Sequence, residues 1–411
     1  MLSLFSFLTI PPQGSEPLAV AVSGGPDSLL LAHLMHKMYS CPTLGLTIDH
    51  GVRKESATEA KQVAETLTTW GMSHKTLKLD HPKPTQAHLR QMRYEALATF
   101  CIQNNIFHLF LGHHKDDVLE TFCMRLYKGA QSISALGAMQ PTTYYKGILL
   151  QRPFLKLTRT DIMHLATEAK LPFMCDPSNK NKRFQRVRLR QNLALLETEK
   201  KKAWHSQSMI WQQKKACLIK QVRDLLPHFY VSHTPGSLTL KQEILTHLTL
   251  DLKIILIREI LPVFGMQKMQ PQTTKQILHI LSGLQSHKKV TLGGCALYIK
   301  NGLLFFEREW QRIPPLKLST KHRKGFVWDG RFFIIPPASA LNGHYIIQPW
   351  GRIRNKQTTK THAKQTQLAT HPASPALFNA DQQKKTKKTK ETLTNHFLNK
   401  IWIKNILFIN P

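Results

Sequence analysis

The chain has 411 residues, well beyond the roughly 100 to 200 of a single domain, so two or three domains with at least one large core are expected and a mini-protein is excluded. Its 57 Lys and Arg against 25 Asp and Glu give a formal charge of +32, which calls for a polyanionic partner, nucleic acid or an anionic membrane surface, without dictating a fold. Hydrophobic residues at 42% and aromatics at 8% are near globular averages and exclude wholesale disorder.

In chain order, residues 18–22 form a short apolar run that reads as a strand, stopped by a glycine pair and followed by an apolar helix over residues 29–35. Residues 44–48 read as a second strand. Residues 55–70 place Ala57, Ala60, Val63, Ala64 and Leu67 at helical spacing and read as the crossover after it. A helix over residues 87–103, a strand over 107–111 and a helix over about 116–128 continue the alternation, which implies a Rossmann-like parallel α/β sheet running to about residue 200. Residues 204–284, including 250–261, read as helical. Residues 290–294 and 303–306 read as strands of a hairpin that turns at Asn301-Gly302. Pro314-Pro315 marks a boundary, after which residues 327–335 read as short β structure in a small C-terminal module. Residues 355–372, rich in Thr, Lys, Gln and His, and the lysine run 384–390 read as mobile, solvated segments.

The charge is unevenly distributed: 13 basic and 11 acidic side chains through residue 150, 26 and 11 over 151–311, and 18 and 3 beyond. A near-neutral first third joined to basic segments separates small-molecule chemistry from the grip on a polyanion. The six cysteines (Cys41, Cys101, Cys123, Cys175, Cys217, Cys295) are scattered singly, with no C-x-x-C, so no disulfide framework, zinc site or iron–sulfur pattern is expected and a reducing cytoplasm fits best. No run reaches the roughly 18 apolar residues of a spanning helix, and a soluble protein is expected.

The strongest motif is Ser23-Gly24-Gly25-Pro26-Asp27-Ser28, set between strand and helix. Its glycines allow close backbone approach and positive φ, its hydroxyls add donors, and the helix N-terminus behind it presents unpaired N–H groups to an anion. It lacks the Gly-Lys-Ser/Thr ending of a Walker A loop, so the usual γ-phosphate lysine is absent. Asp49-His50-Gly51-Val52-Arg53 follows the second strand, at the sheet end where ligands of open α/β folds bind, although Asp-His-Gly is also a good turn. Residues 112–121, beginning Gly112-His113-His114-Lys115-Asp116-Asp117, run from a strand end into a helix. Asp117 and Glu120 fall about 60° apart on one helical face, with Leu119, Phe122 and Leu126 opposite, so the carboxylates are expected to point away from the core. They suit complementing the helix dipole, a magnesium site or a site for a cationic substrate. No Cys or third His stands at ligand spacing beside His113 and His114, which rejects a transition-metal site. Further on stand Arg90-Gln91-Met92-Arg93-Tyr94, Arg152-Pro153-Phe154-Leu155, and Asp176-Pro177-Ser178-Asn179 leading into a basic stretch. If that stretch is helical, Arg183, Arg186 and Arg190 fall within about 60° of one another and form a stripe for successive phosphates.

The Ser23–Ser28 loop resembles that of the PP-loop ATP pyrophosphatases, in which it holds the pyrophosphate of ATP while the α-phosphate is attacked and AMP passes to a substrate oxygen. Taken together and in this order, the motifs are similar to those of the tRNA(Ile)-lysidine synthase family, specifically over residues 18–190 and more weakly beyond. Asn181 stands where that family often has an acid, and residues 340–411 match it poorly. The resemblance implies a PP-loop ATP-binding catalytic domain at residues 1–203, a helical and mixed tRNA-binding domain at 204–313, and a basic C-terminal module at 314–411. It implies ATP-dependent ligation of free L-lysine to C2 of the wobble cytidine of tRNA(Ile) with a CAU anticodon, through an adenylated intermediate. ATP would lie at Ser23, Gly24, Gly25, Pro26, Asp27, Ser28, Asp49 and His50, with Mg²⁺ through Asp27 or Asp49. Asp117 and Glu120, flanked by Asp116, would bind lysine and take its proton, and Arg90, Arg93, Arg183, Arg186 and Arg190 would meet phosphates of ATP or RNA. Rival readings are a tRNA thiolation enzyme on the same loop, which would need cysteines that the sequence does not pair, and a non-catalytic nucleotide-sensing RNA-binding protein.

Overall fold

The computed structural model describes residues 16–49, 55–79, 86–137, 139–173, 185–234, 236–264, 274–286, 288–319, 326–329, 332–335, 345–349, 375–379 and 394–397. The chain divides into two compact units, Met1–Cys217 and Leu218–Pro411.

The first unit is built on β1 (Leu18–Ala21), β2 (Thr43–Asp49), β3 (Ser73–Lys78), β4 (His108–Phe110), β5 (Thr142–Tyr145) and β6 (Ile148–Gln151). They form one sheet in the order β3-β2-β1-β4-β6-β5, parallel except for the β5–β6 hairpin. Its helices are α1 (Pro26–Met38), α2 (Glu55–Thr69), α3 (Gln86–Gln103), α4 (Lys115–Tyr127), the single turn α5 (Ile133–Leu136), α6 (Arg159–Glu168) and α7 (Gln185–Ala194); α8 (Thr198–Phe229) starts in this unit and ends in the second. β1 is Leu-Ala-Val-Ala because it is central and covered on both faces, and Leu18 and Val20 join Leu29, Leu31 and Met35 of α1 in the core. β3, Ser-His-Lys-Thr-Leu-Lys, carries no such run because it is an edge strand, and it goes unread in the sequence for that reason. The β5–β6 hairpin likewise went unread, turning at Lys146-Gly147 with both residues at positive φ.

The chain leaves β1 toward β2 and β3 on one side and returns through β4 on the other. That reversal opens a crevice at the carboxyl ends of β1 and β4, where the Ser23–Ser28 loop and the His113-His114 segment both emerge.

In the second unit, β7 (Tyr230–Thr234), β8 (Ser237–Lys241), β9 (Val290–Leu292), β10 (Cys295–Lys300) and β11 (Leu303–Arg308) form an antiparallel sheet in the order β7-β8-β11-β10-β9. With it go α9 (Ile244–His247), α10 (Leu250–Phe264) and α11 (Thr274–Gln285), and Ile255, Leu256, Ile260 and Phe264 of α10 are buried. Two expectations are corrected. The stretch 204–284 is not helical throughout, since β7 and β8 interrupt it around the turn-forming Gly236. The hairpin does turn at Asn301-Gly302, whose φ values of 50° and 74° suit a type I′ turn, but Leu303–Arg308 pairs with Cys295–Lys300; Val290–Leu292 is the next strand out.

The remaining strands are β12 (Leu316–Lys317), β13 (Phe326–Trp328), β14 (Phe332–Ile335), β15 (Tyr345–Pro349), β16 (Pro375–Asn379) and β17 (Thr394–Phe397), in two three-stranded sheets. The expected short β structure at 327–335 is the β13–β14 hairpin. Residues 355–372 and the lysine run 384–390 lie outside the described residues. Among the described residues no helix is long and apolar enough to cross a membrane.

The Trp328-Asp329 turn is fastened to β11 by a buried ion pair: Arg308 Nη2 and Nε donate to Asp329 Oδ1 and Oδ2 at 2.7 and 3.1 Å, and Arg308 Nη1 donates to the Gly294 carbonyl at 2.8 Å. Removing one partner strands the other charge away from water, at a cost of about 3–5 kcal/mol. Asp329→Ala is therefore expected to lower stability by about that amount in urea denaturation followed by tryptophan fluorescence, and a loss near zero would contradict it.

Candidate functional site

The Ser23–Ser28 loop owes its shape to its own side chains. Gly24 sits at φ +82°, in the left-handed region that glycine enters without strain. Ser28 Oγ accepts from the Ser23 N–H at 3.0 Å, lies 3.2 Å from Ser23 Oγ, and donates to the Gly25 carbonyl at 3.1 Å. These bonds wrap the loop over the first turn of α1, whose leading amides lack intrahelical acceptors. Behind the loop, Thr47 Oγ1 on β2 donates to the Val22 carbonyl at 2.9 Å, so the oxygen accepts from His74 Nε2 on β3, also at 2.9 Å.

Gly112, at the end of β4, lets the two halves of the crevice approach. A Cβ at this position would stand 3.0 Å from the Asp27 carbonyl carbon and oxygen and 3.2 Å from the Ser28 nitrogen. These are backbone atoms of the first turn of α1, so neither side can yield without moving that turn.

His114 is the junction of the site. The ring is buried, with Nε2 3.8 Å from Asp27 Oδ1 and 3.5 Å from Asp117 Oδ2, and Nδ1 3.4 Å from Asp116 Oδ2. Burial opposes charging the ring, but Asp116, Asp117 and Asp27 together hold its pKa above the ordinary 6.5. Burial works against the Asp116 carboxylate too, yet His114, His205 of α8 at 3.4 Å and the Arg159 N–H at 2.8 Å keep its pKa far below the usual range. Asp27 is pushed the other way, because burial, and then repulsion from Asp117, outweigh the pull of His114 and Arg159. Its Oδ1 is buried and has no hydrogen-bond partner among the described residues.

The acidic pair of α4 differs from the sequence reading. Asp117 and Glu120 do lie away from the apolar face, but they do not form an open anionic surface: they are 8% and 1% exposed, closed over by α7. Arg186 Nη2 donates to Asp117 Oδ1 at 2.8 Å, Arg186 Nε to Glu120 Oε2 at 2.5 Å, and Arg190 Nε to Glu120 Oε1 at 2.6 Å. Asp117 Oδ2 also accepts from the His114 N–H at 3.0 Å, and although burial raises its pKa, His114, Arg186 and His113 pull it below the ordinary value. Leu126, expected on the core face, is 39% exposed because α4 has left the body by its last turn.

The structure thus gathers Asp27, Asp116, Asp117, Glu120, Arg186 and Arg190 around one crevice. Asp49 is buried at the carboxyl end of β2. His50 and Arg183 lie outside the described residues. Arg90 and Arg93 stand over the ring of Tyr94 on α3. Sequence reading missed His205, Arg159 and the acid-holding role of Arg186 and Arg190. The i, i+4 spacing of the two arginines matches the i, i+3 spacing of the acids, a signal that was available; nothing local marks His205.

The PP-loop domain family matches residues 5–197. A protein of Ruegeria pomeroyi described as tRNA(Ile)-lysidine synthase is 30% identical over 342 residues, covering 79% of this chain and 78% of that protein. The chain belongs to the tRNA(Ile)-lysidine synthase family. A relative of the same description from Orientia tsutsugamushi is 28% identical over 341 residues, covering 77% of this chain and 75% of its own length. Among solved structures, the U34-tRNA thiolase NcsA from Methanococcus maripaludis aligns at 18% identity with a TM-score of 0.43, over 52% of this chain and 77% of that one.

Two outcomes are expected from these contacts. Gly112→Ala should displace the first turn of α1, destabilise the unit by about 1–3 kcal/mol and weaken nucleotide binding in calorimetric titration. The raised pKa of His114 adds stability that is complete below 6.5 and fades as pH rises through the folded value, whereas the lowered Asp116 and Asp117 add stability above 3.8 that is lost on acidification. Thermal melts of wild type and His114→Asn should accordingly differ most near the acid side of neutrality and converge on the alkaline side; a gap independent of pH would refute the charge assignment.

Proposed function

We propose that the chain ligates free L-lysine to C2 of the wobble cytidine of a tRNA(Ile) with a CAU anticodon, at the expense of ATP. The observation that carries this reading is the junction at His114, which stands 3.8 Å from Asp27 of the PP-loop and 3.5 Å from Asp117 of the acidic pair. A cradle for phosphate and a pair of carboxylates able to take an ammonium therefore share one crevice.

In the first step the C2 oxygen of the cytidine attacks the α-phosphorus of ATP, and pyrophosphate leaves into the Ser23–Ser28 loop, where amides and hydroxyls of the first turn of α1 meet its charge. A carbonyl oxygen is a poor leaving group, and adenylation makes it one that departs as AMP. In the second step the ε-amine of lysine attacks C2, the new C–N bond forms, and the C2–O bond breaks with AMP.

Free lysine arrives as an ammonium of pKa about 10.4 and must lose a proton before it attacks. Asp117 and Glu120 meet both needs, attracting the cation and receiving the proton. The ammonium takes the place that Arg186 and Arg190 hold on those carboxylates, and the displaced guanidiniums turn toward phosphate. The buried Asp27 Oδ1, without a hydrogen-bond partner among the described residues, is a hard oxygen donor that fits Mg²⁺, with Asp49 as the second carboxylate on the same sheet end; the ion would neutralise the phosphates of ATP.

The deciding experiment incubates a tRNA(Ile) transcript with protein, ATP, Mg²⁺ and lysine and weighs its nucleosides. A lysine-sized mass gain on cytidine and AMP release that needs both lysine and tRNA are expected, with Asp117→Ala lowering the rate by about 10²–10⁴-fold. Full incorporation by Asp117→Ala would remove that residue from the mechanism, and no gain with the wild type would end the reading. RNA affinity should also fall steeply with salt.

A further inference from the structure

Beside the acidic pair lies a cluster of cations with no anion to hold it. On α3 the guanidiniums of Arg90 and Arg93 each sit 5.3 Å from the ring centroid of Tyr94. The third cation is Arg152, just past β6, where Nη1 donates to the Gln140 carbonyl and to Thr143 Oγ1, both at 3.0 Å. Among the described residues no carboxylate comes within ion-pair distance of any of the three, in contrast to Arg186 and Arg190 a short way off. Burial alone would raise the pKa of Tyr94, yet Arg90, Arg93 and Arg152 bring it below the ordinary phenol value, as positive charge beside a phenol does. His113 is held neutral there, first by burial and then by repulsion from Arg152.

Among the described residues three buried polar atoms in this cluster have no hydrogen-bond partner of good geometry: the Tyr94 hydroxyl, which stands close to the Arg93 and Arg152 guanidiniums, Arg152 Nε and His113 Nδ1. Tyr94 itself is only 8% exposed. A buried polar atom left unsatisfied costs about 1–3 kcal/mol, and three like charges at one spot add repulsion. Three such atoms together, beside arginines with no carboxylate at ion-pair distance among the described residues, fit an anion as the missing partner. The donor set specifies its chemistry. Guanidinium N–H groups, a phenol and an imidazole match the several acceptor oxygens of a phosphate better than a single-point halide or a planar carboxylate.

We propose that Arg90, Arg93, Arg152, Tyr94 and His113 form a second phosphate site, separate from the Ser23–Ser28 loop. It extends the reading of the preceding subsection, on which it rests, by adding Arg152, Tyr94 and His113 to the phosphate-facing groups. Tyr94 is its organising residue, since its ring carries two of the cations and its hydroxyl faces the cluster. The phosphate belongs either to the nucleotide or to the RNA backbone, and the two sources part in titration.

Full-length wild type, Arg152→Met and Tyr94→Phe are titrated separately with α,β-methylene-ATP in Mg²⁺ and with a tRNA(Ile) transcript. Arg152→Met is expected to weaken one of the two ligands at least tenfold and the other less than twofold. Loss on the nucleotide arm assigns the site to ATP, and loss on the RNA arm assigns it to the backbone. Tyr94→Phe keeps the ring and loses only the hydroxyl, so it weakens the same ligand by a smaller factor; it decides the matter alone should Arg152→Met fail to fold. If wild type binds both ligands and the folded variants bind both equally well, the second site is overturned while the broader reading stands. If wild type binds neither, the broader reading falls and this site with it.

Discussion

Two carboxylates on the first turns of α4 set the terms for everything around the crevice. Asp117 and Glu120 are carried under cover by a helix that also plants Val118, Leu119 and Phe122 in the core, so they cannot turn to water without unseating it. A buried charge costs several kcal/mol unless it is paired and hydrogen-bonded. Arg186 and Arg190 supply that pairing, and in doing so they determine where α7 goes. α7 has no fully buried residue; Leu193 packs partly buried against Leu119, Phe122 and Leu136, and the guanidinium–carboxylate bonds supply the polar part of its attachment.

The same acids organise the other side. Asp117 accepts from the His114 amide and, with Asp116 and Asp27, raises the pKa of the His114 ring, and that ring in turn stands 3.8 Å from Asp27 in the PP-loop. The links are short because β1 and β4 are neighbours at the point where the sheet reverses direction, and because Gly112 has no Cβ to hold the first turn of α1 away. The α/β topology thus accounts for the closeness of loop and acids, and the charges account for the fixed geometry once they are close.

Those parts of the site that depend on neighbouring residues were legible in the sequence. β1, the glycine loop and α1 show themselves through an apolar run, a positive-φ glycine and a buried helix in immediate succession. The acids were placed on the correct face of α4 by helical period alone. What the period could not tell is what covers that face, because Arg186 lies 66 residues from Glu120 and 69 from Asp117. β3 and β5 escaped because edge strands need no continuous apolar run, and β7 and β8 because they are short strands set between helices. Residues such as His205 and Arg152 gain their meaning only from the fold.

The formal charge of +32 is therefore of more than one kind. Arg308 is spent internally on Asp329, and Arg186 and Arg190 are matched one for one by Asp117 and Glu120. Arg90, Arg93 and Arg152 have no such match among the described residues, although Arg90 and Arg93 stand in the part of the chain whose overall charge is nearly balanced and Arg152 lies just past its end. The crevice holds a local separation of charge, with Asp117 and Glu120 bound to Arg186 and Arg190, and Arg90, Arg93 and Arg152 without a carboxylate at ion-pair distance among the described residues. Under the proposed function an ammonium substrate would be drawn to the carboxylates and a phosphate to the unmatched arginines, and a polar crevice that holds both at once needs this separation, since a uniform excess of either sign would repel one of them.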